Sequence, residues 1–233
     1  MYQRSLDHRL TNWQAHCDRL RYSIDFFGWQ QPNWQQLRHG AATLSDFSVL
    51  RITVFPDGRE WITTRSLPEH LTKRQKYGVV AELATSNLRR SLPFHKTGNY
   101  LSAWFAKTTA QQFGAAEAIL IDESGNWLET STGNLWGWRD DCWWTPPISA
   151  GILPGVARSQ ILEWIHQHNQ QVKEEPWHLK AVDSFEAIAY SNSVVEIIPI
   201  HTVIDGQSEG QIRQKNYNPY HSSLKLLRQL YIL

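Results

Sequence analysis

From Trp13 the apolar side chains return at intervals of four and three, through Cys17, Leu20, Ile24 and Phe27, the spacing that lines one face of an α-helix. The pattern predicts a helix over residues 13–27, with Thr11 as its cap and Gly28 ending it in a left-handed conformation. The rhythm then shortens. Residues 49–55 and 60–64 are β-rich runs on either side of Pro56-Asp57-Gly58, and the Asp-Gly pair predicts a hairpin. Residues 69–92 read as a polar helical stretch closed by Pro93. Residues 98–113 read as another helix, with Leu101, Trp104, Phe105 and Thr108 toward one side and Gly114 as terminator.

Beyond Gly114 strands and helices alternate. Residues 118–122 and 127–129 flank the turn sequence Glu123-Ser124-Gly125-Asn126, and residues 135–138 and 142–145 form a further hairpin around Asp140-Asp141. A helix is predicted over 156–167 and a short strand over 188–190, before Ser191-Asn192-Ser193. There is no internal repeat and no low-complexity tract. The natural boundary lies near Pro93, giving a smaller N-terminal α+β domain over residues 1–93 and a larger strand-rich one over 94–233.

Composition narrows the functions that fit. With 233 residues, 41% of them hydrophobic and 19% charged, the chain can bury a substantial core. Lys plus Arg number 23 against 22 Asp plus Glu, a formal charge of +1, so no general field draws in nucleic acid or an anionic membrane and any anion site must be local. Only Cys17 and Cys142 are present, which argues for free thiols and a reducing compartment. No run approaches the roughly 18 apolar residues of a spanning helix, and the opening residues lack the apolar segment of a signal peptide; the expected location is cytoplasmic. The 12 Trp are scattered, which core packing and half-buried surface explain better than ligand stacking. His8, His16, His39, His166, His168 and His201 show no spacing joined to Cys or carboxylate motifs, so no metal is expected. Nor is there a glycine-rich loop of the P-loop or dinucleotide type.

The candidate chemistry gathers around a lysine. Lys96 follows Pro93 and precedes a helix, where an amine in a partly desolvated cleft could have its proton affinity lowered and condense with an aldehyde. Glu129 could face the ring nitrogen of a pyridine cofactor, keeping that nitrogen protonated and the ring able to accept electrons. Gly155-Val156-Ala157 at a helix start can aim backbone amides at a phosphate, and Ser193 can add a hydroxyl. Those requirements together describe a site for pyridoxal 5'-phosphate.

The motifs His95-Lys96-Thr97-Gly98-Asn99-Tyr100-Leu101, then residues 129–136 with Asn134, Thr145-Pro146-Pro147, Leu153-Pro154-Gly155-Val156-Ala157-Arg158, and residues 191–200 with Glu196 and Pro199 run in one order from about residue 10 to about residue 200. In that order the chain resembles the class IV, fold type IV, pyridoxal phosphate enzymes: branched-chain and D-amino-acid aminotransferases and 4-amino-4-deoxychorismate lyase. The resemblance implies a two-domain α+β fold. It implies that Lys96 is the residue that joins the cofactor aldehyde and then moves the substrate proton, that Tyr100 bonds the cofactor's phenolic oxygen, and that Glu129 partners the pyridine nitrogen. It makes Arg19, in His16-Cys17-Asp18-Arg19-Leu20, the phosphate clamp, with Val156, Ala157, Ser193 and Val194 completing the cup, and it sets Arg51 on the substrate side of the small domain. It also implies a homodimer acting on a small amino substrate.

Two departures from the family pattern stand out. Ala157 replaces the usual threonine, so that phosphate contact rests on the backbone amide. Most of the strands that precede the residue 16–23 helix in the family are missing, which implies either a late start or a cut-down small domain. The expected activity is the lyase reaction giving 4-aminobenzoate and pyruvate, because the short chain and the His16-Cys17-Asp18-Arg19-Leu20-Arg21 helix are most similar to compact folate-pathway members. Asn99-Tyr100-Leu101 keeps a branched-chain or D-amino-acid aminotransferase open, and a noncatalytic cofactor- or partner-binding relative is the further alternative.

Overall fold

A computed structural model describes residues 2–6, 9–206 and 213–231. The chain divides into two compact units, the first made of residues up to Glu69 together with His95–Gly98, the second of His70–Phe94 and Asn99 onward.

In the first unit, strands β1 (Tyr2–Leu6) and β2 (Arg9–Leu10) precede helices α1 (Trp13–Phe26) and α2 (Trp34–Thr43) and the hairpin of β3 (Val49–Val54) and β4 (Glu60–Arg65). The strands form one antiparallel sheet in the order β2-β1-β3-β4. The hairpin follows the sequence expectation: β3 and β4 pair from Val49 opposite Arg65 to Val54 opposite Glu60, and Gly58 turns the chain at φ 80. Alternation sends Leu50, Ile52 and Val54 inward against Ile24, Leu37 and Ala41 of the two helices, the period-two and period-3.6 faces meeting in one core. Gly28 ends α1 at φ 63 as expected. The cap differs: Asn12, not Thr11, precedes the helix, in a left-handed conformation and with no side-chain cap bond. Helix α2 was not anticipated, although its signal is present: Asn33 accepts a bond from the Gln36 amide at 3.0 Å, and Trp34, Leu37 and Ala41 follow at helical spacing.

The second unit starts with α3 (Leu71–Tyr77), which carries the chain into β5 (Val79–Leu83). Here the expected helix over 69–92 is corrected. Gly78 stops it at φ 80, with the Pro199 carbonyl 3.0 Å from where a Cβ would stand. The β-branched pair that follows enters a sheet, with β5 parallel to strands on both sides. That pairing also moves the division of the chain: residues 79–83 belong to the second sheet, and only His95–Gly98 return to the first unit, so the boundary does not fall at 93/94.

Helix α4 (Leu101–Gln112) then precedes β6 (Glu117–Ile121), β7 (Trp127–Thr130), β8 (Asn134–Arg139), β9 (Cys142–Thr145), α5 (Val156–Gln167), β10 (Gln171–Glu174), α6 (Leu179–Ser184), β11 (Ala187–Asn192), β12 (Glu196–Asp205), β13 (Arg213–Asn216) and α7 (Ser222–Arg228). The sheet runs β10-β9-β8-β11-β12-β5-β6-β7, and a further β7–β8 pairing, Glu129 opposite Asn134, closes a ring of strands. Helices α5 and α7 cover one stretch of it through Ile161, Trp164, Ile165, Leu224 and Leu227, packed on Trp136, Trp143, Ala187, Ala189 and Ile197. Helix α4 covers another with its small residues Ala106 and Ala110, set against Ala118 and Leu120. Leu101, Trp104 and Phe105 share one side of α4, and that side is exposed (71, 59 and 53%), because the alanine face permits the closer approach to the sheet. Among the described residues no helix is long and apolar enough to cross a membrane.

Candidate active site

The residues expected to carry chemistry divide between the units. Arg19, Arg51 and Lys96 lie in the first; Tyr100, Glu129, Val156, Ala157, Ser193 and Val194 lie in the second.

In the first unit, Arg19 sits on α1 three residues after His16 and four before Ser23, so the three share a face of the helix. The segment bearing Lys96 is fastened to that face. His95, 6% exposed, meets the Ser23 hydroxyl through Nδ1 at 3.3 Å, and its ring stacks on Phe26 at 4.1 Å between centroids. His16 lies on the same face of α1. It is 1% exposed, and its Nδ1 has no hydrogen-bond partner among the described residues. Burial first, then neighbouring charges with Arg19 and Lys96 among them, pull its imidazole down from 6.5 to about 3. Arg51 is half-buried on β3, between Leu50 and Ile52 and so on the face of the sheet opposite the core.

The low proton affinity of His16 has a measurable consequence. Between pH 6.5 and about 3 the unfolded chain binds a proton that the folded chain does not. Stability from this group is therefore complete above the unfolded value and is lost as pH falls through that window, by up to about 1.4 kcal/mol per pH unit. Urea unfolding at a series of pH values should show a shallower acid slope in His16→Gln than in the parent; equal slopes would remove His16 from the account.

In the second unit the turn linking β7 and β8 is the organising element. Glu129, 2% exposed, accepts a 2.6 Å bond from Arg90 Nε and a shared bond from the Leu153 amide at 3.4 and 3.3 Å. Asn134 Nδ2 donates to the Leu153 carbonyl at 2.8 Å and reaches Glu129 Oε2 at 3.5 Å. Gly155 caps α5 immediately beyond, where the amides of Val156 and Ala157 have no acceptor within the helix and the dipole favours an anion. Ser193 and Val194 occupy the turn between β11 and β12, and Asn192 Oδ1 accepts from the Val194 and Val195 amides at 2.9 and 3.0 Å. The strand before that turn pairs with β8, Ser191 opposite Asn134. One buried carboxylate, one helix start and one polar turn are thus gathered around Asn134. Tyr100 is the residue that caps the start of α4, its carbonyl accepting from the Trp104 amide at 2.7 Å.

Several of these partners were not anticipated. Arg90 belongs to the basic pair Arg89-Arg90, which sequence alone cannot tell from solvated surface. Glu117 could have been suspected, since a carboxylate within the apolar run Glu117-Ala118-Ile119-Leu120 demands buried partners. It is fully buried and is met by the hydroxyls of Ser131 and Thr132 and by Lys107 Nζ at 3.4 Å, so it ties α4 and the Glu129 turn to β6. Among the described residues, which exclude His8, no group of His, Cys, Asp and Glu is arranged to hold a metal.

The model of the class IV amino-transferases matches residues 3–203. The chain belongs to that family. Class IV members are pyridoxal phosphate-dependent enzymes, and this one has the fold type IV architecture. It is 24% identical over 210 residues to the aminodeoxychorismate lyase of Vibrio harveyi, a match spanning 82% of this chain and 78% of that one. It is 29% identical over 116 residues to the branched-chain-amino-acid aminotransferase of Escherichia coli strain K12, spanning 50% of this chain and 37% of the relative. In three dimensions it matches a hypothetical aminotransferase from Mycobacterium tuberculosis in its PLP-bound form with a TM-score of 0.82 at 17% identity, over 99% of this chain and 85% of that one.

The residues of this class IV chain fit the cofactor. Each unit by itself carries groups whose chemistry suits that cofactor: the amine of Lys96 and the guanidinium of Arg19 in the first, the buried carboxylate of Glu129 and the amides at the start of α5 in the second. The absence of a side chain at Gly155 also matters: a Cβ there would stand 2.2 Å from Asn134 Oδ1. Gly155→Ala should therefore push Asn134 off Leu153 and Glu129. The expected loss is about 1–3 kcal/mol of stability in thermal unfolding, together with weaker cofactor retention; unchanged values for both would contradict the packing described.

Proposed function

We propose that the chain is a pyridoxal phosphate-dependent lyase that converts 4-amino-4-deoxychorismate to 4-aminobenzoate and pyruvate. The observation that carries this reading is the extent of the likeness to the Vibrio lyase, which takes in 82% of the chain and 78% of the relative, against 50% and 37% for the Escherichia aminotransferase. In this reading Arg19 grips the phosphate with the Val156 and Ala157 amides and the Ser193 and Val194 turn, Tyr100 bonds the phenolic oxygen, and Glu129 holds the ring nitrogen. The cofactor supplies an electron sink. Lys96 removes the proton from the substrate carbon that bears nitrogen and returns it to the departing enolpyruvyl group, which leaves as pyruvate; the ring left behind is aromatic, and its formation drives the reaction. Arg51 meets a substrate carboxylate, and placement of the carboxylates with that of Lys96 selects elimination over transamination.

The second reading, a branched-chain or D-amino-acid aminotransferase, is favoured by Tyr100 in Asn99-Tyr100-Leu101. Incubation of the purified protein with aminodeoxychorismate, following 4-aminobenzoate, beside a panel of amino donors and keto acids, separates the two. Product from the keto-acid panel alone ends the lyase assignment, and a protein that takes up no cofactor points to the noncatalytic alternative. The reading extends to a cytoplasmic homodimer. The exposed face of Leu101, Trp104 and Phe105 on α4 supports association, since apolar patches of that kind are rarely left to solvent. Sedimentation of Trp104→Glu against the parent should show the variant shifted to monomer.

A further inference from the structure

Glu129 is held more firmly on one side than on the other. Its Oε1 takes the 2.6 Å charge-assisted bond from Arg90 Nε, and the Arg90 side chain, 10% exposed, also donates to the Ser131 carbonyl at 3.3 Å. Its Oε2 accepts longer bonds, from the Leu153 amide at 3.3 Å and Asn134 at 3.5 Å. A guanidinium does not lose its proton in a protein, so a fixed positive charge sits against one oxygen of a buried carboxylate.

We propose that Arg90 is a positioning residue that decides where the proton rests between Glu129 and a bound cofactor's ring nitrogen. This rests on the reading of Glu129 as the partner of that nitrogen. Two arrangements of the one proton compete: a neutral acid beside a neutral ring, and a carboxylate beside a protonated ring. Burial penalises the second, because it separates charge in a poorly solvated place. Moving the proton from Glu129 to the ring carries positive charge away from Arg90 and leaves the guanidinium a full carboxylate to bond. Arg90 thus drives the proton onto the ring, where it strengthens the ring as an electron acceptor. Side-chain charge at position 90 is the variable, and the contact with Ser131 only aims it.

The test uses the holoenzyme loaded with pyridoxal phosphate carrying ¹⁵N at the ring nitrogen, read by NMR at neutral pH, with folding of each variant checked by circular dichroism. The parent should show the resonance of a protonated ring. Arg90→Met and Arg90→Gln should move it toward the neutral-ring position, Arg90→Lys should hold it near the parent's, and Glu129→Gln should lose the protonated position. An unmoved resonance in a folded neutral variant overturns the proposal. So does a neutral ring in the parent, whatever the variants do. A parent that binds no pyridoxal phosphate is a different result: it overturns the cofactor role of Glu129 on which the inference stands.

Discussion

Lys96→Ala is expected to lower turnover by at least about 10³-fold while the protein stays folded. The size follows from the two tasks that the proposed function gives this amine, covalent capture of the cofactor aldehyde and transfer of the substrate proton; a positioned proton-transfer group alone contributes roughly 10²–10⁴-fold. The fold should survive because Lys96 is half-buried at the end of a segment fastened by its neighbour: His95 keeps its contact with Ser23 and its stacking on Phe26 without the lysine. The variant should also lack any visible absorption band that borohydride removes from the parent. Steady-state assay of 4-aminobenzoate release, with far-ultraviolet circular dichroism as the folding control, checks both parts. Activity within tenfold of the parent would take Lys96 out of the chemistry.

Glu129→Ala is the change expected to harm the fold most among the site residues. Its carboxylate lies 2.6 Å from Arg90, with the two side chains 2 and 10% exposed, and it gathers the Leu153 amide as well. Removing one member of a buried ion pair leaves the other charge uncompensated, a loss of about 3–5 kcal/mol. Urea denaturation should show that destabilisation, and the double variant Arg90→Met with Glu129→Ala should recover part of it, because it removes the stranded guanidinium. A single variant as stable as the parent would mean that Arg90 finds another partner and that the turn does not depend on Glu129. Glu129→Gln separates structure from chemistry, since the amide keeps an acceptor for the Leu153 amide but cannot hold a ring nitrogen in its protonated form.

How far the sequence revealed this arrangement can be traced residue by residue. The α1 stripe and the Asp57-Gly58 hairpin were legible because each rests on local geometry: a 3.6-residue period in one, a positive-φ glycine in the other. The order of the motifs around Lys96, Glu129 and Gly155 led to the family and from there to the cofactor, with no knowledge of the sheet. What failed was nonlocal. Residues 79–83 have enough polar neighbours to read as helix, and only parallel pairing with β12 and β6 makes them a strand. Leu101, Trp104 and Phe105 share one side of α4, and only the sheet decides that the small opposite face is the one that packs, because a sheet approached through alanines can be reached more closely. Arg90 lies 39 residues from Glu129 in the chain, and His16 gives no hint in sequence that burial, with neighbouring positive charges, pulls its proton affinity down. The family and its cofactor were readable from residue types in order; the Arg90 partner of Glu129 and the burial of His16 were hidden, because they depend on distant segments.

The covalent attachment of Lys96 is the most direct test of the whole account. Reduction of the cofactor-loaded protein with borohydride, followed by proteolysis and mass mapping, should place the pyridoxyl mass on the peptide containing Lys96 and on no other. A label distributed over surface lysines, or a protein that incorporates none, would contradict it.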